Sequence, residues 1–163
     1  MDINDFHNKV TDLYVDYRTK VHPLVVLIQV ESGEFPTQIL NEIRSFDFHI
    51  ACCYADIKND IFVNEHIRKA TSHMERCLID CYKSLVNIIY FDRIKYFENN
   101  IKKHFYSIEK IIDNGNFYRQ YTKLKNEITE KIKLAQMSEI ELNSKQDTIN
   151  LFQESYNLYA QLI

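Results

Sequence analysis

The sequence predicts an all-α protein: a four-helix bundle whose two long C-terminal helices continue as a projecting antiparallel coiled-coil hairpin. Three observations lead there. Only two glycines and two prolines occur in 163 residues, and folds with many tight connections need those residues at their turns. Apolar residues recur at alternating spacings of three and four over stretches far longer than a strand. Charged residues make up 26% and hydrophobic residues 45% of the chain, a balance that buries a core instead of leaving the chain disordered. This length suits one domain, 1–163.

The first helix is expected over residues 3–31, kinked at Pro23, whose ring clashes with the preceding turn and which has no N–H to give. Its apolar run LVVLIQV, residues 24–30, is β-branched, but no second strand-like run could pair with it, so helix is favoured. The run is also far short of the roughly 20 apolar residues that span a bilayer. Residues SGEFP then break the chain. The second helix covers 37–57 and buries Ile39, Ile43, Phe46, Ile50, Cys53 and Tyr54 on one stripe. KNDIFV interrupts, and Asn64 is read as the N-cap of the third helix.

That third helix reads as very long. Ile67, Ala70, Met74, Cys77, Cys81, Leu85 and Ile88 carry its stripe, which Phe97, Ile101, Phe105, Ile108 and Ile112 extend. It stops at Asp113-Asn114-Gly115, where glycine suits a left-handed cap. The fourth helix begins near Phe117, with Tyr121, Ile128, Ala135, Leu142, Ile149, Tyr156 and Ile163 in heptad register. Its companion positions Leu124, Lys131, Ser138, Lys145, Phe152 and Tyr159 turn polar in the middle, so the stretch MSEIELNSKQD is expected to fray or break.

Folding back about Gly115 pairs residues of helices three and four whose numbers sum to about 230. Turning about residue 61 pairs residues of helices two and three at a sum of about 122. Helices one and two then cover only part of the third. The bundle comprises about 1–87 and 143–163, and residues 88–142 form a two-helix spur on the order of 40 Å long. Two helices burying only each other over that length are marginal, so a homodimer or membership of a larger complex is expected.

The same register brings polar residues together. His49 falls opposite His73, Asp47 opposite Arg76, and Arg44 opposite Asp80. On helix three, His73, Arg76 and Asp80 lie at i, i+3 and i+7 along one flank of the apolar stripe. Such a set is either a structural latch, in which paired charges fix helix register, or a catalytic cluster. In the second case the two histidines share general acid and base roles, Arg44 or Arg76 stabilises phosphate charge, and Asp47 and Asp80 orient their partners. That chemistry cleaves RNA without a metal, through the ribose 2′-hydroxyl.

Arg44/His49 and Arg68/His73 repeat the spacing Arg-x4-His. On a helical bundle this spacing resembles the HEPN superfamily. The resemblance covers residues 44–80 at most and implies a module of a bacterial toxin or phage-defence system, a metal-independent ribonuclease whose site forms across a dimer. Five residues along a helix turn about 140°, so neither arginine faces the same way as its histidine, and Arg68 projects away from the stripe. The competing reading is a non-enzymatic interaction subunit that uses the hairpin to dock a protein or nucleic acid.

The remaining signals are weaker. Cys77 and Cys81 share a helical face and Cys52-Cys53 lies on the facing helix, but four-fold convergence on zinc would be strained, and buried cysteines acting as small hydrophobes are favoured. No Gly-rich phosphate loop, HExxH or nucleophile elbow is present, and neither a metal nor a cofactor is expected. The N-terminal MDINDFHNKV lacks basic and apolar signal regions, so a cytoplasmic location with reduced thiols is expected. Between Arg93 and Lys133 ten Lys/Arg face five Asp/Glu, leaving −8 on the rest of a chain whose total is −3. Aromatics interleave with these basics: Tyr96, Phe97, Phe105, Tyr106, Phe117, Tyr118 and Tyr121. Lys102, Lys103, Arg119 and Lys123 are therefore the candidate RNA contacts, with the rings available for stacking. Solvated flank lysines over an aromatic coiled-coil core, or an acidic protein partner, would show the same pattern.

Overall fold

A computed structural model describes residues 3–101, 104, 113–140 and 144–161. Those residues form helices joined by short turns, with no strand among them, so the chain is all-α. Two compact units are distinguished, Met1–Cys81 and Tyr82–Ile163.

In the first unit, α1 (Ile3–Asp16) runs through a π-helical turn, Tyr17–Val21, into α2 (His22–Ser32). The wide turn lies where the sequence predicts a kink. Pro23 cannot donate to the ladder, and the His22 N–H instead closes onto the Tyr17 carbonyl five residues back. LVVLIQV is helical, with Val25 and Ile28 buried. Gly33 ends α2 at φ 72°, and its N–H bonds the Gln29 carbonyl at 2.9 Å. A left-handed residue of this kind favours glycine, because a Cβ would crowd the following carbonyl.

The helix α3 (Thr37–Ala55) matches its predicted span and buries Ile39, Phe46, Ile50 and Cys53. Ile43 is half-buried, and Tyr54 departs from the expected stripe. Its ring lies 52% exposed, edge-on to Phe6 at 5.1 Å between centroids. The helix α4 (Asp60–Ile88) corrects the sequence reading at its start. Its first residue is Asp60, and Asn59 is the N-cap: Asn59 Oδ1 accepts the Phe62 N–H at 3.2 Å. Of KNDIFV, Lys58 and Asn59 lie in the break between α3 and α4, and Asp60 to Val63 already belong to the helix. Ile61, 83% exposed, breaks the apolar stripe there, while Val63 is fully buried. Asn59→Ala is expected to destabilise the protein by about 1 kcal/mol in chemical denaturation, whereas Asn64→Ala is expected to be close to neutral.

In the second unit the third predicted helix is interrupted. A π-helical turn, Ile89–Ile94, separates the end of α4 from α5 (Lys95–Ile101). Phe105, Ile108 and Ile112 of the predicted stripe lie outside the described residues. The turn at Asp113–Gly115 holds Asn114 at φ 50° and Gly115 at φ 80°, and α6 (Asn116–Ile140) follows. The predicted single fourth helix is two helices, α6 and α7 (Lys145–Ala160), which pack against each other. The chain parts within MSEIELNSKQD, where polar companion positions weaken the seam. A buried hydrogen bond between the Ser138 and Thr148 hydroxyls, 2.8 Å long, joins the two helices beside the break. Val86, Ile89, Ile94, Tyr121, Ile128 and Tyr159 form this unit's core, so Tyr121 and Ile128 do face inward as the heptad predicts. Across it Lys83 meets Glu139 at 2.6 Å, and Lys125 pairs with Glu98.

Candidate functional site

The polar cluster lies wholly in the first unit, on α3 and α4. Helix geometry dictates its membership. With Asn59 as the cap, the turn between the helices centres near residue 57, and facing residues sum to about 115 instead of 122. His49 then meets His66 as well as His73, and Glu42, not Asp47, reaches His73 and Arg76.

His49 Nδ1 lies 2.9 Å from His66 Nδ1. At that separation one nitrogen carries a proton and the other accepts it, so both rings cannot be charged through these atoms. The His73 ring stacks on His49, with centroids 5.2 Å apart and planes 26° from parallel. His73 Nδ1 lies 2.7 Å from Glu42 Oε2, and Arg76 Nε lies 3.3 Å from the same oxygen. Arg76 Nη2 approaches both nitrogens of the His73 ring, at 2.8 and 3.3 Å. Nδ1 cannot donate to Glu42 and accept from Arg76 at once. A ring with its proton on Nδ1 satisfies the carboxylate and leaves Nε2 to accept from Arg76.

The electrostatics favour neutral imidazole at the centre. Burial holds the His49 pKa below its ordinary value, and the neighbouring His73, His66, Lys69 and Arg76 reinforce the shift. His66 is buried against Phe62, ring centroids 4.2 Å apart. Phe48, 61% exposed, stands edge-on to His49 at 5.4 Å.

The other predicted site residues fall elsewhere. Arg44 and Arg68 are exposed, so the two Arg-x4-His matches bring their histidines together and leave their arginines outside. Asp47 accepts a hydrogen bond from Tyr14 at 3.2 Å, which replaces the expected pairing with Arg76. Asp80 is half-buried on α4. Glu42 and His66, absent from the predicted set, are the cluster's carboxylate and its third imidazole. The correct cap would have revealed both, since Glu42/His73 and His49/His66 each sum to 115.

Of the predicted RNA contacts, Lys102 and Lys103 lie outside the described residues. Arg119 and Lys123 are exposed on α6, and Arg119 donates to the Asn114 carbonyl at 3.5 Å. Neighbouring lysines are held in ion pairs, Lys125 with Glu98 and Lys131 with Glu154. Tyr121 is buried, whereas Tyr96, 70% exposed, is open to solvent.

The four cysteines are free thiols, with Cys53, Cys77 and Cys81 buried. Burial pushes the Cys53 thiol up. The hydrogen bond with Cys77, followed by burial, raises Cys81. Protonated thiols are poor metal ligands. Among the described residues no three His, Cys, Asp or Glu side chains converge on a metal position. No described helix is long and apolar enough to cross a membrane.

No protein-family model, no curated protein and no solved structure matches the chain.

Proposed function

We propose that the α3–α4 cluster is the acid–base site of a metal-independent ribonuclease, in a HEPN-like module of the toxin or phage-defence kind. The observation that carries the reading is the stack of His49 on His73, with Glu42 on one side of His73 and the Arg76 guanidinium on its ring nitrogens. Two imidazoles whose centroids are 5.2 Å apart can serve one phosphodiester from two sides.

The roles follow from the hydrogen bonds. His49 donates through Nδ1 to His66, which frees Nε2 to take the proton of the ribose 2′-hydroxyl. The 2′-oxygen attacks the adjacent phosphorus. Arg76, about half exposed, leaves His73 and balances the charge developing on the phosphoryl oxygens. With Arg76 gone, His73 Nε2 takes up a proton from solvent, its charge balanced by Glu42, and gives that proton to the departing 5′-oxygen. The products are a 2′,3′-cyclic phosphate and a free 5′-hydroxyl. The first unit carries eight Lys/Arg against thirteen Asp/Glu. RNA must therefore be held by local cations such as Arg44, Arg68 and Arg76, once Arg76 has left His73, and not by a general positive field.

The test is an end-labelled oligoribonucleotide and the same oligomer with one 2′-deoxy residue, each incubated in EDTA. Cleavage at every position except that 3′ of the deoxy residue supports the mechanism. Cleavage at the deoxy position, or products ending in a 3′-hydroxyl, contradicts it.

A second reading, a non-enzymatic interaction subunit, draws on a different observation. Leu134, Met137 and Ile140 lie at i, i+3 and i+6 on α6, each more than half exposed. An apolar ridge of that kind suits a partner helix. Under this reading Met137→Asp abolishes self-association in sedimentation velocity and leaves the melting temperature unchanged. A variant that still associates like the wild type removes this ridge from the interface.

A further inference from the structure

The His49–His66 contact has a capacity that acid–base chemistry does not use. Its two Nδ1 atoms face each other from different helices at 2.9 Å. Two nitrogens bound about 2.05 Å from one ion at right angles stand about 2.9 Å apart, and at the tetrahedral angle about 3.4 Å apart. The hydrogen-bonded pair, whose ring centroids are 5.0 Å apart, therefore already has the spacing of adjacent positions in a square or octahedral shell. Each ring has to turn to bring its Nδ1 lone pair off the N–N line and onto the ion.

We propose that His49 and His66 form a two-imidazole site for a divalent ion of the Ni(II)/Cu(II) class, in which the metal replaces the shared proton. The ring that donates through Nδ1 moves its proton to Nε2, so both Nδ1 lone pairs turn to the ion and no proton is released from the neutral pair. Water fills the remaining positions, because His73 presents its ring face to His49 and keeps its Nδ1 on Glu42.

The surroundings tolerate the added charge. Of the nearby cations, Lys69 is neutralised by Glu65 at 2.6 Å and Arg76 by Glu42 at 3.3 Å. Ligation needs neutral imidazole, the form that the half-buried position of His49 and its basic neighbours already favour. Because the ligands come from α3 and α4, the ion would clamp the two helices together and stabilise the folded state over the unfolded chain. The proposal is independent of the ribonuclease reading, since it requires no substrate.

The experiment is thermal unfolding of untagged protein at pH 7.5 in EDTA and in NiCl₂ at saturating concentration, with bound nickel counted by equilibrium dialysis. The wild type is expected to bind one ion per chain and to gain about 3 °C or more. His66→Ala and His66→Gln, each compared with its own melting temperature in EDTA, are expected to lose both the gain and the ion. His22→Ala, in α2, is expected to keep them. A wild type with no gain and no stoichiometric nickel overturns the proposal, as does a gain that survives in both His66 variants. Should His66→Ala fail to fold, His66→Gln and the dialysis of wild type decide between these outcomes.

Discussion

His73→Ala is expected to slow RNA cleavage by about 10²–10⁴-fold, the usual contribution of a positioned general acid or base. The His73 side chain is about one-fifth exposed and flanks the core without filling it, so the melting temperature should fall by only a few degrees. Glu42→Gln keeps the size of its side chain and removes the charge that balances the imidazolium. It is expected to be slower than wild type and faster than His73→Ala. Initial rates on an end-labelled RNA in EDTA, set beside thermal melts of the same preparations, check both. A structural latch gives the opposite pattern. Its Glu42→Ala variant leaves His73 and Arg76 without their shared acceptor and lowers the melting temperature, with no activity to lose.

Acid destabilisation is the second large effect. The folded-state pKa of His49 lies below the ordinary value, so the unfolded chain binds the proton more readily. Between the two values the unfolded state holds more protons, and stability rises with pH there. Stability is therefore expected to be full above about pH 7. It should decline as pH falls through about 6.5, and the loss should level off once the folded form also protonates. The groups facing His49 make protonation costly: His66, His73, Lys69 and Arg76 are basic, Phe48 is apolar, and the carboxylate of Glu42 is held by His73. Melting temperatures from pH 5 to pH 8 for wild type and His49→Gln check this. The variant's curve should be flatter below pH 7, and parallel curves would remove His49 as the origin.

The helical content was legible because burial imposes a periodicity that composition cannot hide. Ala70, Met74, Cys77, Cys81 and Leu85 are all buried as their spacing predicts. Gly33 was legible as a terminator because few other residues take its φ of 72°. The site was harder to read, since it depends on register, and register depends on where one helix begins. Asn59 followed by Asp60 is a start signal, with a capping side chain and an acid in the first turn. Ile61 hid it by interrupting the apolar stripe with an exposed residue. Moving the cap from Asn64 to Asn59 shifts the facing residues by about two helical turns, enough to exchange Asp47 for Glu42. His49 and His73 survive that shift because stacked rings tolerate an offset that a hydrogen-bonded pair does not.

The C-terminal half was read in part: the break within MSEIELNSKQD was expected from its polar companion positions, but the packing of α7 back along α6 was not. The heptad from Tyr121 to Tyr156 stays in phase across the break, so periodicity alone continues the helix. Ser144 at the N-cap position and Asp147 in the first turn of α7 are the competing signal, with the acid favoured by the helix dipole and no cap bond from the Ser144 side chain. Once α7 folds along α6, Lys131 finds Glu154 at 2.6 Å, so part of the basic count between Arg93 and Lys133 is neutralised, while Lys123, read as an RNA contact, stays exposed. Chain-level charge counts do not register such pairing.

The most direct test of the central claim is the rate at which purified protein cuts end-labelled RNA in EDTA, measured beside a folded His49→Ala/His73→Ala double variant. Metal-independent cleavage by the wild type, lost in the double variant, is the predicted result and places the acid–base chemistry on the α3–α4 cluster. RNA left intact by the wild type, or cut equally by both proteins, would contradict it.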